Sequence, residues 1–330
     1  MRAVHLEPLP DWIRTLIREG LPDAIEMQWL DADGRIEGAD VLLTAKQHVT
    51  SAIIEAACPT LRLIQIQGRT PWVVDLSAAV SAGIPVSSIP HRGAIAVAEH
   101  TMALILAVKR KIVLGHVGTV NASYTELGVE PIRTSERKIA FNWLKLPAVE
   151  QLYGSTLGLI GLGDIGLEVA RRARAFDVDV VYNKRQRLPE EAERMAGVRY
   201  EKMDHLLATA DVVSLHAPHT PETEGLIDGA ALAKMRPDAI LVNTSRGGLV
   251  DEQALVTALR DGVIAAAGLD VFVDEPLPLG HDLLKLDNVT LSPHTGGGTG
   301  GGQRAMVADV IENLVRLSQG EPLNHVMTYT

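Results

Sequence analysis

The sequence predicts an α/β protein made of two doubly wound parallel-sheet domains with a cleft between them. Three observations lead there. Short apolar runs alternate with segments of helical spacing along most of the chain, the order that builds a parallel sheet flanked by helices. Aromatic residues make up only 4% of the chain while apolar residues reach 46%, so the core is assembled from Ala, Val, Leu and Ile, which suits strands buried on both faces. At roughly 150 residues per domain, the 330 residues favour two domains over one.

The runs that read as buried strands are Ala39 to Leu43, Leu61 to Gln65, Leu157 to Ile160, Val178 to Tyr182, Val212 to Leu215, Ile240 to Val242, Ala265 to Leu269 and Val289 to Leu291. Helical spacing runs over Ile165 to Phe176 and Glu252 to Asp261, and Val97 to Leu114 is a long helix. From Gly115 to Gln151 the chain is polar and irregular and predicts a loop with little regular structure. The Gly296 to Gly302 stretch, glycine throughout except Thr299, is a second break before an amphipathic terminal helix, Gln303 to Ser318.

The formal net charge of −10 argues against nucleic acid or an anionic membrane as a partner. Cys58 is the one cysteine, so no internal disulfide framework exists and a reducing compartment is expected. Met1 to Asp11 has no apolar signal core, and runs such as Thr101 to Val108 fall far short of the ~20 residues that cross a bilayer. The expectation is a cytoplasmic protein. No His, Cys or acidic cluster has metal-ligand spacing.

Leu157 to Ile160 runs into Gly161-Leu162-Gly163-Asp164-Ile165-Gly166, and a helix follows at once. A bare GxGxxG is weak evidence; a strand before it and a helix after it give it meaning. Gly161 permits the tight turn, Gly163 lets backbone approach a pyrophosphate, Gly166 lets the helix pack on its strand, and the helix N-terminus receives the negative charge. A purely structural turn is the competing reading.

An acidic residue ~20 positions further on would bind the adenosine ribose of NAD. Here Tyr182 is followed by Asn183-Lys184-Arg185-Gln186-Arg187. A carboxylate would repel a 2′-phosphate, whereas these cations can pair with it. NADP(H) is therefore favoured and NAD(H) stays open; the plainer alternative is a solvated basic turn.

Three later segments put charged or titratable residues after strands: Val242 to Asp251 with Thr244, Ser245 and Arg246, Gly268 to Pro276 with Asp270 and Glu275, and Leu291 to Gly297 with His294. Following the glycine loop in this order, they resemble the D-isomer-specific 2-hydroxyacid dehydrogenase family, of glyoxylate or hydroxypyruvate reductase type. The resemblance extends to Val97 to Thr101 and to Leu215 to Ile227. It implies two Rossmann-like domains: a discontinuous substrate domain at 1–100 and 296–330, and a dinucleotide-binding domain at 101–295. It also implies hydride transfer between NAD(P)H and C2 of a small 2-oxo or 2-hydroxy acid. Arg246 would hold the substrate carboxylate, His294 would be the general acid–base and Glu275 its orienting partner. Pro218, Thr223, Thr244, Ser245 and Asp270 would line the cofactor, Asp270 near the nicotinamide. A homodimer is expected, with Gly115 to Gln151 as a candidate arm.

The chemistry suits these types. Negative charge develops on the C2 oxygen, an Arg stabilises it and a protonated His quenches it. For His100, His216 and His219 the structural reading outweighs a catalytic one.

The sequence departs from the family where a loop of the type Gly-Val-Gly-x-Asp-x-Ile-Asp is usual. It has Gly68-Arg69-Thr70-Pro71-Trp72-Val73-Val74-Asp75, and His91-Arg92-Gly93-Ala94 in place of Gly-Ala-Asn-Ala. Gly68, Arg69 and Thr70 remain the candidate substrate residues beside Arg246. Arg69 and Trp72 put a cation and an indole where small or acidic groups are usual. Competing readings are a nucleotide-sensing scaffold or corepressor on the same fold, and oxidation of formate or phosphite. A methyltransferase would leave the three downstream motifs unexplained.

Overall fold

The structure, a computed structural model, describes residues 1–30, 35–298 and 302–327. It divides into two compact units, one of Met1–Ala96, Glu190–Ala192 and Thr299–Thr330, the other of Val97–Pro189 and Glu193–Gly298.

The first unit holds β1 (Arg2–His5), β2 (Glu26–Trp29), β3 (Val41–Thr44), β4 (Leu63–Gln67) and β5 (Val86–Ile89). They form a sheet in the order β2-β1-β3-β4-β5 with every pairing parallel. The second holds β6 (Thr156–Ile160), β7 (Asp179–Asn183), β8 (Arg199–Tyr200), β9 (Val212–Leu215), β10 (Ile240–Asn243), β11 (Ala266–Leu269) and β12 (Val289–Leu291), again all parallel, in the order β12-β11-β10-β9-β6-β7-β8. The helices are α1 (Asp11–Gly20), α2 (Ser51–Ala57), α3 (Leu76–Ser81), α4 (Arg92–Lys109), α5 (Ile112–Val120), α6 (Asp164–Arg174), α7 (Glu190–Ala196), α8 (Met203–Thr209), α9 (Gly229–Leu232), α10 (Glu252–Arg260) and α11 (Gly302–Gln319). Both units are thus Rossmann-like, as expected. No helix among the described residues is long and apolar enough to cross a membrane.

Alternation along β3 shows why the first sheet is covered on both faces. Val41 and Leu43 pack with Leu63, Val310 and Leu314, while Leu42 packs on the other face with Val4, Ile54 and Ile64. Each such burial contributes about 1.5–3 kcal/mol.

In the second unit, strand residues Ile160, Val213, Leu215 and Leu241 meet Leu206 of α8, Leu232 of α9 and Leu255 of α10.

Each sheet reverses its strand order once, between β1 and β3 and between β6 and β9. Such a switch point opens a crevice at the carboxyl ends of the strands. In the first unit Glu7 enters it. Its carboxylate accepts the backbone N–H groups of Ala45, Lys46 and Gln47, and Thr44 Oγ1 donates to it at 3.1 Å. Burial opposes charge on Glu7, but these donors prevail and hold its carboxyl below the usual range.

Three expectations need correction. The helix expected from Val97 to Leu114 is two helices: α4 ends at Lys109, and Lys111 takes a left-handed φ of 53° before α5 begins. The apolar pattern runs straight through this break and conceals it. The segment expected to be loop from Gly115 therefore opens inside α5 and becomes irregular only beyond it. Strands β1, β2, β5 and β8 are additional. They are short and carry polar residues, and in β5 the buried Ser87 gives its hydroxyl to Asn324 O at 2.8 Å. Part of the Gly296 to Gly302 stretch, 299–301, lies outside the described residues.

Candidate active site

The glycine loop leaves β6 at the switch point of the second sheet. Gly161 has φ 96°, and a Cβ there would lie 2.5 Å from the His216 carbonyl and the Ala217 nitrogen after β9. A Cβ on Gly166 would lie 2.8 Å from Gly161 O, so glycine lets α6 close on the turn. Gly163 differs: nothing stands within 4 Å of its added Cβ, and no side chain caps α6 above it. Asp164, Ile165 and Gly166 form the first turn of α6. An uncapped helix start beside an open glycine fits a pyrophosphate, which a Cβ on Gly163 would obstruct.

At the end of β7, Asn183 Nδ2 donates to Glu201 O at 2.7 Å, and Lys184 Nζ reaches Leu162 O at 3.4 Å. Arg185 is exposed. Arg187 is engaged elsewhere, in a two-point pair with Glu193.

The chemistry-bearing residues follow β10, β11 and β12, whose register aligns Asn243 with Leu269 and Leu269 with Leu291. One sheet edge therefore carries Thr244 to Arg246, Asp270, and Ser292 to His294. Buried Asn243 shapes the first turn: its Nδ2 donates to Arg246 O at 2.8 Å and its Oδ1 accepts Ser245 N at 3.0 Å. Thr244 Oγ1 lies 2.8 Å from Thr101 Oγ1, Ser245 Oγ donates to Ala217 O at 2.6 Å, and Arg246 is exposed with Nη1 on Ser245 O. A Cβ on Gly247 would lie 2.0 Å from the Phe272 carbonyl carbon. Glycine thus lets the Arg246 turn lie against the loop that carries Glu275.

His294 stands in the left-handed region at φ 52°, and its Nδ1 lies 2.6 Å from Glu275 Oε2. Glu275 Oε1 accepts the Phe272 N–H at 3.0 Å. Burial disfavours charge on Glu275, yet the bonds from His294 and Phe272 outweigh it and keep the carboxyl below its ordinary range. Asp270 is buried, with both carboxylate oxygens engaged by Ser292, Thr295 and Gly296.

In the first unit, Gly68 has φ 124° and its N–H bonds Ile89 O, while Thr70 Oγ1 donates to Ala45 O at 3.2 Å. Arg69 is half-buried between them. The Trp72 indole packs against the apolar core of its own unit.

The family model described as "D-isomer specific 2-hydroxyacid dehydrogenase, NAD binding domain" matches residues 127–296. A glyoxylate reductase of Korarchaeum cryptofilum is 36% identical over 287 residues, covering 87% of this chain and 82% of that protein. The chain belongs to the D-isomer specific 2-hydroxyacid dehydrogenase family. A D-3-phosphoglycerate dehydrogenase of Mycobacterium leprae is also 36% identical, over 91% of this chain but 54% of its own length, so the chain spans about half of that relative. The crystal structure of the TT0316 protein from Thermus thermophilus matches with a TM-score of 0.54 at 35% identity, covering 99% of this chain and 100% of that one.

In this member of the 2-hydroxyacid dehydrogenase family, the three histidines given a structural reading, His100, His216 and His219, each have a partner. His216 Nε2 lies 2.9 Å from Ser214 Oγ, and desolvation lowers its pKa to about 4, leaving the ring neutral. His219 pairs with Glu224. Thr223 Oγ1 donates to Pro218 O at 2.7 Å, closing their turn. His100 meets Ser292 and Asp270. The signal was present in the sequence, because Asp270 and Ser292 each directly follow adjacent strands, but nothing along the chain ties α4 to them.

Proposed function

We propose that this chain is a nicotinamide-dependent oxidoreductase that moves a hydride between NAD(P)H and C2 of a small 2-oxo or 2-hydroxy acid. The observation that carries the reading is the His294–Glu275 pair, beside the Arg246 turn, on the edge of the sheet whose glycine loop suits a dinucleotide. The similarity to a protein named glyoxylate reductase supports a small 2-oxo acid.

The pyrophosphate falls to Gly161, Gly163, Asp164, Ile165 and Gly166, and the far side of the cofactor to Pro218, Thr223, Thr244, Ser245 and Asp270. Lys184 and Arg185 take a 2′-phosphate beside Asn183, which favours NADP(H). A bound nicotinamide supplies the hydride, or accepts it in the reverse direction.

The rest is done by side chains. Arg246 grips the substrate carboxylate and stabilises the charge that develops on the C2 oxygen. Nδ1 of His294 is held by Glu275, which leaves Nε2 to give the proton to that oxygen and to remove it in reverse. Glu275 orients the ring through its contact with Nδ1.

The assembly in this reading is a homodimer. The apolar side chains of α5 support it: Ile112, Val113, Val117 and Val120 are all exposed, and α5 buries none of its residues. A cytoplasmic location completes the reading, supported by the single cysteine.

The test follows NADPH absorbance with purified protein against glyoxylate, hydroxypyruvate and other small 2-oxo acids. Turnover of at least one is expected. Tight NADPH binding without turnover of any would overturn the enzyme reading in favour of a nucleotide-sensing scaffold.

A further inference from the structure

His294 owes its left-handed backbone to the residues around it, and these converge on Asp270. The His294 N–H donates to the Asp270 carbonyl at 2.9 Å. The next two amides, of Thr295 and Gly296, donate to the two oxygens of the Asp270 carboxylate at 3.0 and 2.8 Å. Ser292, two residues before His294, gives its hydroxyl to Asp270 Oδ1 at 2.6 Å. One aspartate thus holds the turn from Ser292 to Gly296 at four points. A non-glycine residue in the left-handed region persists only when its surroundings over-determine it.

The aspartate is itself held from α4. His100 Nε2 lies 2.8 Å from Ser292 Oγ and 3.1 Å from Asp270 Oδ1. Ser292 has one hydroxyl proton and gives it to Asp270, so at the His100 contact the serine oxygen accepts and His100 Nε2–H donates. That assigns the tautomer of His100 in its neutral form. The packing leaves no slack either: a Cβ on Gly296 would lie 2.9 Å from Asp270 Oδ2 and 3.4 Å from His100 Cδ2.

We infer that His100 is a positioning residue for His294: by donating to Ser292 and Asp270 it fixes the rotamer of Asp270, and with it the backbone turn that aims the His294 ring. The inference rests on the reading of His294 as acid–base. It assigns His100 no contact with substrate. The titratable groups around the network are His100 from α4, Asp270 after β11, Glu275 from the loop beyond it, and His294 after β12. Burial works against charge on Asp270, and the donors from Ser292, Thr295, Gly296 and His100 more than compensate, so its carboxyl stays below the usual range.

The variants that test this are His100→Leu, His100→Gln and Ser292→Ala. Misplacing a reacting group by an ångström costs up to ~10²-fold in rate. His100→Leu is therefore expected to lower kcat roughly 10- to 100-fold while KM and NADPH affinity stay near those of the unmodified protein, and to move the pH–rate profile. His100→Gln, which keeps an N–H donor within reach of Ser292, recovers most of the rate; Ser292→Ala resembles His100→Leu. The companion measurement needs no substrate: the ring signals of His294, followed by NMR against pH, shift in His100→Leu and return in His100→Gln. Unmodified kcat and pH profile in His100→Leu would overturn the inference, as would a His100→Gln variant as slow as His100→Leu. Should the unmodified protein turn over no 2-oxo acid, the functional reading falls alone. The positioning role is then decided by the NMR titration, and an unchanged His294 signal in His100→Leu overturns it.

Discussion

Arg187 and Glu193 form a two-point pair, Nε to Oε1 and Nη2 to Oε2, both at 2.8 Å. The same carboxylate accepts the buried Tyr182 hydroxyl at 2.8 Å, and that hydroxyl receives the Leu188 N–H. The hydrogen bonds from Arg187 hold the Glu193 carboxyl below its ordinary range. The basic turn after β7 is thereby fixed in shape, and Arg187 is its brace.

Cofactor preference should follow that division. The hypothesis is a higher kcat/KM with NADPH than with NADH. One charge-assisted contact to a 2′-phosphate, at ~1.5–3 kcal/mol before solvent losses, implies a preference of roughly tenfold or more. Arg185→Ala and Lys184→Ala should erode it. Arg187→Ala should leave the ratio intact and lower Tm. Equal values for the two cofactors in the unmodified protein would refute the preference.

Substitutions at the sheet edge separate binding from chemistry. His294→Ala and Arg246→Ala should each lose ~10²–10⁴ in kcat/KM, with NADPH binding by fluorescence retained. Glu275→Gln keeps the shape but removes the charge facing His294 Nδ1, so a milder loss and a displaced acid limb of the pH–rate profile are expected. Half the normal kcat/KM at position 294 or 246 would exclude that residue from the chemistry.

The first two glycines of the loop should fail differently. Gly161→Ala forces a Cβ into backbone at 2.5 Å at a φ of 96°, so the protein itself should be destabilised. Gly163→Ala meets nothing within 4 Å, so Tm should hold while NADPH affinity falls. Thermal melts with and without NADPH read both effects. A Gly163→Ala protein that binds NADPH normally would remove the pyrophosphate from this turn.

Glu7→Gln tests the amide cluster after β3. Removing a charged acceptor from donors it satisfies costs about 1–3 kcal/mol. A carboxyl whose folded pKa is depressed contributes stability above its unfolded value and loses it as pH falls through the folded one. The Tm gap between the two proteins should therefore be widest near neutral pH and should close as pH falls below ~4. A gap that is constant with pH would mean that the charge of Glu7 plays no part.

Assembly is read by sedimentation. Val117→Glu and Val120→Lys place charge on the exposed apolar side of α5, and each should convert a dimer into monomers. A monomer in the unmodified protein would exclude this face as the interface.

Much of the second sheet was legible along the chain because its strands are near-continuous Val, Leu and Ile runs, as in Val212 to Leu215, and because glycine at 161, 163 and 166 has a stereochemical meaning. The pairing of His294 with Glu275 came from resemblance; the distance came from the fold. What escaped had one of two causes. Strands β1 and β5 bury polar side chains, and a buried Ser87 reads as a loop residue until its partner Asn324, far along the chain, is known. His100, Asp270 and Ser292 are likewise remote from one another in sequence, so their meeting depends on where α4 lies. Arg187 misled for the opposite reason: a cation six residues before an acid looked available for phosphate until the turn between them closed.

Glu7 behaves as a ligand that the polypeptide carries with it. Three consecutive amides and a threonine hydroxyl gather around its carboxylate much as such groups gather around a phosphate. An anion arriving from solution at the gap between β1 and β3 meets a rival tethered a few residues away, whose local concentration dilution cannot lower. Two sheets drawn to similar plans need not be equally receptive, and here the connectivity of the chain itself weights the choice of where a phosphate settles.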